Sequence, residues 1–356
     1  MEADWPAKNS PAPGQGRSGL GRIEPWLRRV PGFALLKLLR YQVRMRYGSP
    51  VRRLSPQAHA PWLMMLESSA LCNLSCAKCG HRSSARPLGT METGLALDLV
   101  DQAAKTGIQV VCLSMLGEPL LHPELERIIA RVSQRGLFPY LTTNALLLSP
   151  EKSRSLIEAR IKQIVVSIDG WDSASYAHRQ GGADLGQVLD NLRRFREIRG
   201  DRRLPWLASI TVLDSESQSR LAEIKRLLKS YVEELRIIPL TDFGIPGHEV
   251  DPKLLLGTRS WKRVPCGYLW RVLNVGWDGR VTACCNDHNY LLAYHRVQDA
   301  PLQEIWQCPQ LQEWRGRHLR GEFDQMPMCG PCTFDWANSF SFGWTRHRFS
   351  ILKVKS

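Results

Sequence analysis

The middle of the chain alternates between continuous apolar runs and helical spacing. The runs are Trp62 to Leu66, Val110 to Leu113, Phe138 to Thr142, Ile164 to Ile168, Leu207 to Leu213 and Leu235 to Leu240. Each has strand length, and unbroken apolar character marks strands buried on both faces. Helices are expected between them: around Leu95 to Val100, from Glu124 to Gln134, from Glu151 to Ala159, near Val188 to Ile198, and from Leu221 to Leu228. Six such strand–helix units predict an α/β fold with a parallel sheet and right-handed crossovers. Functional loops are then expected at the carboxyl ends of the strands.

The pattern changes after residue 245. Apolar stretches from Val272 and up to Thr282 flank Asp278-Gly279, a strong hairpin-turn signal. Leu302 to Trp306 and Leu311 to Leu319 have helical spacing. The expected organisation is a basic extension over 1–56, an α/β unit over 57–245, a smaller C-terminal unit of hairpin plus helix over 246–345, and a basic tail over 346–356.

Cysteines add chemistry to this frame. Cys72, Cys76 and Cys79 fall on the loop after the first predicted strand. Three thiolates can hold three irons of a [4Fe-4S] cube and leave the fourth iron open. The competing reading is zinc, which wants four ligands and could recruit His81. Gly117-Glu118-Pro119 closes the second predicted strand. Glycine lets a backbone approach closely, and the carboxylate can accept from an ammonium group. A plain turn before the next helix is the alternative there.

The run Cys72-Asn73-Leu74-Ser75-Cys76-Ala77-Lys78-Cys79 resembles the cluster loop of the radical S-adenosylmethionine (SAM) enzymes. The resemblance implies a partial, six-stranded (β/α)6 barrel and an open iron that chelates SAM's amino and carboxylate groups. It implies reductive cleavage of SAM to methionine and a 5'-deoxyadenosyl radical that takes hydrogen from the substrate. The family often has an aromatic residue before the third cysteine, and this chain has Lys78. The family's Gly-Gly-Glu-Pro segment, which binds SAM's amino group, is matched by Gly117 and Glu118 with Leu116 in place of the first glycine. In relatives, a serine on the fourth strand and an arginine after it help bind SAM's ribose and carboxylate. Ser167 and Arg179 match them, the planar arginine fork suiting a carboxylate. A strand-end serine and a surface charge are the plain alternatives. Asp169 could bond ribose hydroxyls or cap the turn at Gly170.

The C-terminal cysteines carry a second resemblance. Asp278-Gly279-Arg280-Val281-Thr282-Ala283-Cys284-Cys285-Asn286-Asp287 and the pair Cys329-x-x-Cys332 are similar to the auxiliary-cluster region called SPASM and its shortened form, Twitch. No cysteine follows Cys332, so the shortened form matches better, with one auxiliary [4Fe-4S] cluster on Cys266, Cys284, Cys329 and Cys332. The layout resembles that of the aminocyclitol dehydrogenase of aminoglycoside biosynthesis. A structural zinc on the same four cysteines is the alternative. Cys285 competes with Cys284 as ligand, whereas Cys112 and Cys308 read as packed thiols.

Composition narrows the classes. Ten cysteines in 356 residues, in cluster-like spacing, do not suggest a disulfide scaffold. No signal peptide is evident and no apolar stretch reaches about eighteen residues, so a cytoplasmic protein without a membrane span is expected. The formal net charge is +14, and the first 56 residues hold eleven Lys or Arg against three acids. Their first twenty residues are Pro-, Gly- and Ser-rich and expected to be disordered. Trp26 to Tyr47 is apolar and basic, suiting a helix packed on the barrel, a contact with an anionic membrane surface, or a dock for an acidic partner. No nucleic-acid module is present, and no nucleic acid is expected.

The resulting expectation is a radical SAM enzyme with one auxiliary cluster, served by a reductant protein such as flavodoxin or ferredoxin. Its substrate is expected to be a sugar, aminocyclitol or nucleotide-linked polyol, undergoing dehydrogenation or a related modification. A maturase of a ribosomally made peptide and a non-catalytic zinc-binding interaction protein are the alternatives.

Overall fold

The computed structural model describes residues 54–256, 264–334 and a final strand, Thr345–Arg348. The N-terminal basic helix expected from Trp26 to Tyr47 lies outside the described residues, as does most of the basic tail.

The six predicted strands form as β1 (Leu63–Leu66), β2 (Val110–Cys112), β3 (Phe138–Thr143), β4 (Gln163–Ser167), β5 (Trp206–Leu213) and β6 (Glu234–Pro239). Each pairs in parallel with the next, for example Met64 with Val111 and Leu141 with Ile164. The crossovers are α1 (Thr93–Thr106), α2 (Leu125–Gln134), α3 (Pro150–Glu158), α4 (Ser173–Arg179), α5 (Leu185–Arg199), α6 (Ser215–Gln218) and α7 (Leu221–Leu228). Local chemistry sets their ends. Ser149 accepts from Lys152 N at 3.2 Å and Pro150 follows it, which starts α3. Helix α1 stops at Gly107, whose φ of 89° suits a residue without Cβ.

The sheet does not end at β1 and β6. The hairpin forms as β7 (Val272–Val275) and β8 (Arg280–Thr282), followed by β9 (Ala293–Arg296). Strand β7 pairs in parallel with β1, Leu63 opposite Val272. The final strand, β10, pairs antiparallel with β6. The result is one ten-stranded sheet in the order β10-β6-β5-β4-β3-β2-β1-β7-β8-β9. The six barrel strands are parallel as expected, and the antiparallel pairings belong to the hairpin, β9 and β10. Open edges at β1 and β6 would leave rows of backbone donors and acceptors unpaired, and later strands cover both.

Helix α8 (Leu302–Trp306) packs against α1, and α9 (Pro309–Arg320) against the turn Gly267–Trp270 that leads into β7. The main core fills the space between the sheet and its helices, and includes Met64, Leu66, Leu99, Ile128, Leu192 and Leu273. A second cluster on the other face joins Leu63, Val110, Cys112 and Val272, with Met65, Tyr140 and Tyr268 against it. Cys112 is thus a packed thiol, as expected. Among the described residues, no helix is long and apolar enough to cross a membrane.

Candidate functional site

The predicted motifs meet at the carboxyl ends of the strands. Strand β1 delivers Cys72, Cys76 and Cys79; β2 delivers Gly117 and Glu118; β4 ends at Ser167, with Asp169 just beyond. Arg179 ends α4 and is buried. That helix was not expected, because a seven-residue amphipathic segment shows little periodicity. Its signal was the capping box of Asp172 with Ser175.

The three loop thiols lie half-buried and within electrostatic reach of one another. Burial, then Cys79 and Cys72, push the Cys76 thiol up to about 12. Burial also raises Cys72 and Cys79. Among the described residues, no three His, Cys, Asp or Glu side chains converge as ligands of a single ion. Thiols within reach of one another around one loop suit a cube, whose cysteines bind different irons. His81 is engaged elsewhere, its Nε2 2.9 Å from Ala70 O.

Gly117 is pressed against the start of this loop. A Cβ there would fall 2.5 Å from Leu71 O and 2.6 Å from Ala70 C. Beside it, Glu118 N donates to Leu71 O at 2.7 Å. Glycine is needed for backbone-to-backbone approach, so Gly117→Ala should displace the cysteine loop. We expect a lower iron content at the Cys72–Cys79 site, measured after reconstitution; wild-type iron would refute this. The Glu118 carboxylate is buried and accepts from Thr143 Oγ1 at 2.7 Å, Asn144 N at 2.9 Å and Leu120 N at 3.0 Å. Burial raises its pKa against those three donors. It ties the end of β2 to the end of β3.

The opposite side of the loop is held by charge. Ala77 N donates to Arg179 O at 3.0 Å, and Cys76 Sγ to Gln180 Oε1 at 3.0 Å. Arg179 gives its fork to Asp214 at 2.6 and 3.3 Å and to Glu216 at 2.8 Å. Arg179, matched by resemblance to an arginine that helps bind SAM, is directed by α4 at two protein carboxylates. Lys78 pairs with the same Asp214, which is fully buried and also caps α6 through Ser217. Burial, then Arg179, bring the Lys78 ammonium down to about 8. Asp214 and Glu216 were missed in the sequence, although Asp214 directly follows an apolar strand and precedes a cap serine.

Asp169 is half-buried, and its Oδ1 accepts from Val212 N at 2.6 Å. Burial pushes it up to about 6, against the Val212 amide and then Lys78 and Arg179. A carboxyl raised above its ordinary range binds protons more tightly folded than unfolded, so stability falls as pH rises toward 6. Asp169→Asn keeps an acceptor for Val212. It should melt higher than wild type above pH 6 and match it below pH 4. Equal pH profiles for the two apoproteins would contradict this.

The auxiliary cysteines frame the hairpin. Cys266 opens the turn into β7 and its N–H donates to His318 Nδ1 of α9 at 3.2 Å. Cys284 and Cys285 follow β8, and Cys329 and Cys332 follow α9. Burial, then the neighbouring Cys285, Cys266 and Cys284, hold the Tyr268 hydroxyl well above its ordinary range. Its ring lies 5.6 Å from that of Phe334, whose N–H donates to Cys332 Sγ at 3.5 Å. Tyr268 therefore neighbours both the hairpin cysteines and the terminal pair.

Comparisons with known proteins agree with this layout. The family described as the radical SAM superfamily matches residues 66–228, and the iron-sulfur cluster-binding domain SPASM matches 266–333. GTP 3',8-cyclase of Synechococcus sp. (strain CC9902) is 32% identical over 199 residues, covering 51% of this chain and 56% of that protein. AdoMet-dependent heme synthase of Methanosarcina barkeri is 36% identical over 124 residues, 35% of each. The chain thus spans about half the length of these curated relatives, or less. Among solved structures, BtrN in complex with AdoMet and 2-DOIA superposes with a TM-score of 0.55 at 17% identity, over 78% of this chain and 95% of BtrN. Streptococcus suis SuiB bound to precursor peptide SuiA gives 0.60 at 13% identity, over 80% and 72%. At such identities the likeness shows the fold.

Proposed function

We propose, for a chain that belongs to the radical SAM superfamily and carries an iron-sulfur cluster-binding SPASM domain, an enzyme that oxidises an unactivated carbon of a polar small molecule. Membership implies a [4Fe-4S] cluster with SAM, and auxiliary iron-sulfur binding in the SPASM domain. A cluster held by Cys72, Cys76 and Cys79 would supply the electron for reductive cleavage of SAM.

The residues of this chain then have separable tasks. Cys72, Cys76 and Cys79 hold the first cluster, and Cys266, Cys284, Cys329 and Cys332 hold the auxiliary one. Gly117 and Glu118 shape the seat for SAM's amino group, and Ser167 and Asp169 face its ribose. Arg179, its fork filled by Asp214 and Glu216, steadies the loop. A flavodoxin- or ferredoxin-like protein delivers the electron.

One observation carries the redox reading. Strand β7, flanked by Cys266 and Cys284, is hydrogen-bonded in register to β1, which feeds the loop of Cys72. Cys266 precedes β7 and Cys284 follows its hairpin partner β8, so the auxiliary set is tied to the same sheet that carries the Cys72 loop, which supports an auxiliary acceptor for the electron of a substrate radical.

Anaerobic reconstitution should give about eight irons per chain, as two [4Fe-4S] clusters. Four irons and one zinc would remove the electron-acceptor reading. Deuterated polyols, aminocyclitols and their nucleotide conjugates should then be offered with SAM and dithionite. Deuterium in 5'-deoxyadenosine from one of these supports the proposal. Transfer from a peptide alone would replace it with the maturase reading.

A further inference from the structure

Glu67, just beyond β1, is fully buried, and its carboxylate collects donors from three distant stretches. Arg86 donates through Nη1 at 2.8 Å and Nη2 at 2.5 Å. Leu116 N donates at 3.3 Å and Trp277 N at 3.2 Å. Leu116 opens the Gly117-Glu118 segment. Trp277 lies in the turn between β7 and β8. Arg86 comes from the segment that leaves Cys79.

That segment is fastened to the auxiliary loop residue by residue. The His288 ring covers Gly80, where any Cβ would overlap it. Ser84 Oγ donates to His288 O at 2.9 Å, and Ala85 N to Asn289 Oδ1 at 2.8 Å. Arg86 stacks over the Tyr290 ring at 4.5 Å and donates to its hydroxyl. Trp277 Nε1 donates to Pro87 O at 3.1 Å. Residues 284–290 directly follow β8 and begin with Cys284 and Cys285. The chain leaving one cysteine set is thereby zipped to the chain leaving the other.

We propose that Glu67 and Arg86 are positioning residues that make SAM affinity depend on the auxiliary hairpin. The proposal rests on reading Cys72–Cys79 as the SAM-binding site. The pair is buried on both sides, with side-chain exposures of 2% for Arg86 and 0% for Glu67. Its attraction is little screened, so it fixes the Leu116 and Trp277 amides against a single carboxylate. Movement of the hairpin turn is then felt at the segment that shapes the SAM seat.

The test uses reconstituted holoenzyme of verified iron content and measures SAM binding by equilibrium dialysis. Arg86→Met should weaken SAM binding about tenfold or more. Trp277→Ala keeps the amide that Glu67 accepts but loses the indole bond that ties the turn to Pro87, and should weaken SAM binding severalfold. Glu67→Met combined with Arg86→Met removes both charges and should recover much of the thermal stability lost in the single variants. SAM affinity should stay low in that double variant, because the Leu116 and Trp277 amides still lack their acceptor. Recovery of affinity together with stability would mean a structural role only, and would overturn the proposal. So would wild-type affinity in both Arg86→Met and Trp277→Ala. If Arg86→Met cannot hold iron, Trp277→Ala decides by itself. A wild-type protein that binds no SAM would sink the site reading, and the coupling with it.

Discussion

Replacing Cys72, Cys76 or Cys79 by alanine is expected to abolish 5'-deoxyadenosine formation while leaving the auxiliary iron in place. In the proposed reading each of these thiols would hold a different iron of one cube, so losing one should break the cluster rather than weaken it. Their mutual electrostatic reach in the folded loop is the structural ground for treating them as one site. Cys266, Cys284, Cys329 and Cys332 belong to a separate stretch matched by the SPASM family. The triple variant should therefore keep about half of the iron. The measurements are iron content and 5'-deoxyadenosine released with SAM and dithionite. Cleavage at the wild-type rate in all three single variants would falsify the assignment. Loss of all iron from each would show that the two cysteine sets fold as one unit.

Asp214→Ala should be strongly destabilising. The carboxylate is fully buried and shared by Lys78, both Arg179 nitrogens and the cap of α6. Removing it leaves the part-buried Lys78 and the buried Arg179 facing one another, with only Asp169 and the exposed Glu216 as counter-charges among the described residues. Breaking a buried pair in this way costs about 3–5 kcal/mol, far more than an exposed pair contributes. Glu216 cannot compensate, because its side chain is 63% exposed and reaches only Arg179. Lys78→Met with Asp214→Ala removes one cation and should recover part of the loss. Denaturant unfolding of the apoproteins measures both. A change below about 1 kcal/mol for Asp214→Ala would show that water reaches the cations and the network contributes little.

Lys78 and Asp214 also account for the chain's main departure from its family's cluster loop. Where an aromatic residue is usual, this loop carries an ammonium tied to the end of β5. The loop is thus anchored by charge on one side and by the Gly117 backbone contact on the other.

Much of this protein was legible in its sequence. Strands buried on both faces announce themselves as unbroken apolar runs, and each of the six barrel strands overlaps its expected run. The cysteine loop, the Gly-Glu-Pro segment and the Asp-Gly hairpin are local signals, because each depends on residues adjacent in the chain. What escaped was non-local. Strand β7 beside β1, and β10 on the far edge, required edge backbone groups more than two hundred and about a hundred residues away, respectively, to find partners. The seven-residue helix α4 had too few turns to show a period, and its placement decided that Arg179 meets Asp214 and Glu216. Glu67, Arg86 and Tyr290 looked like ordinary polar positions. Only the folded chain desolvates them together, and desolvation makes their charges count.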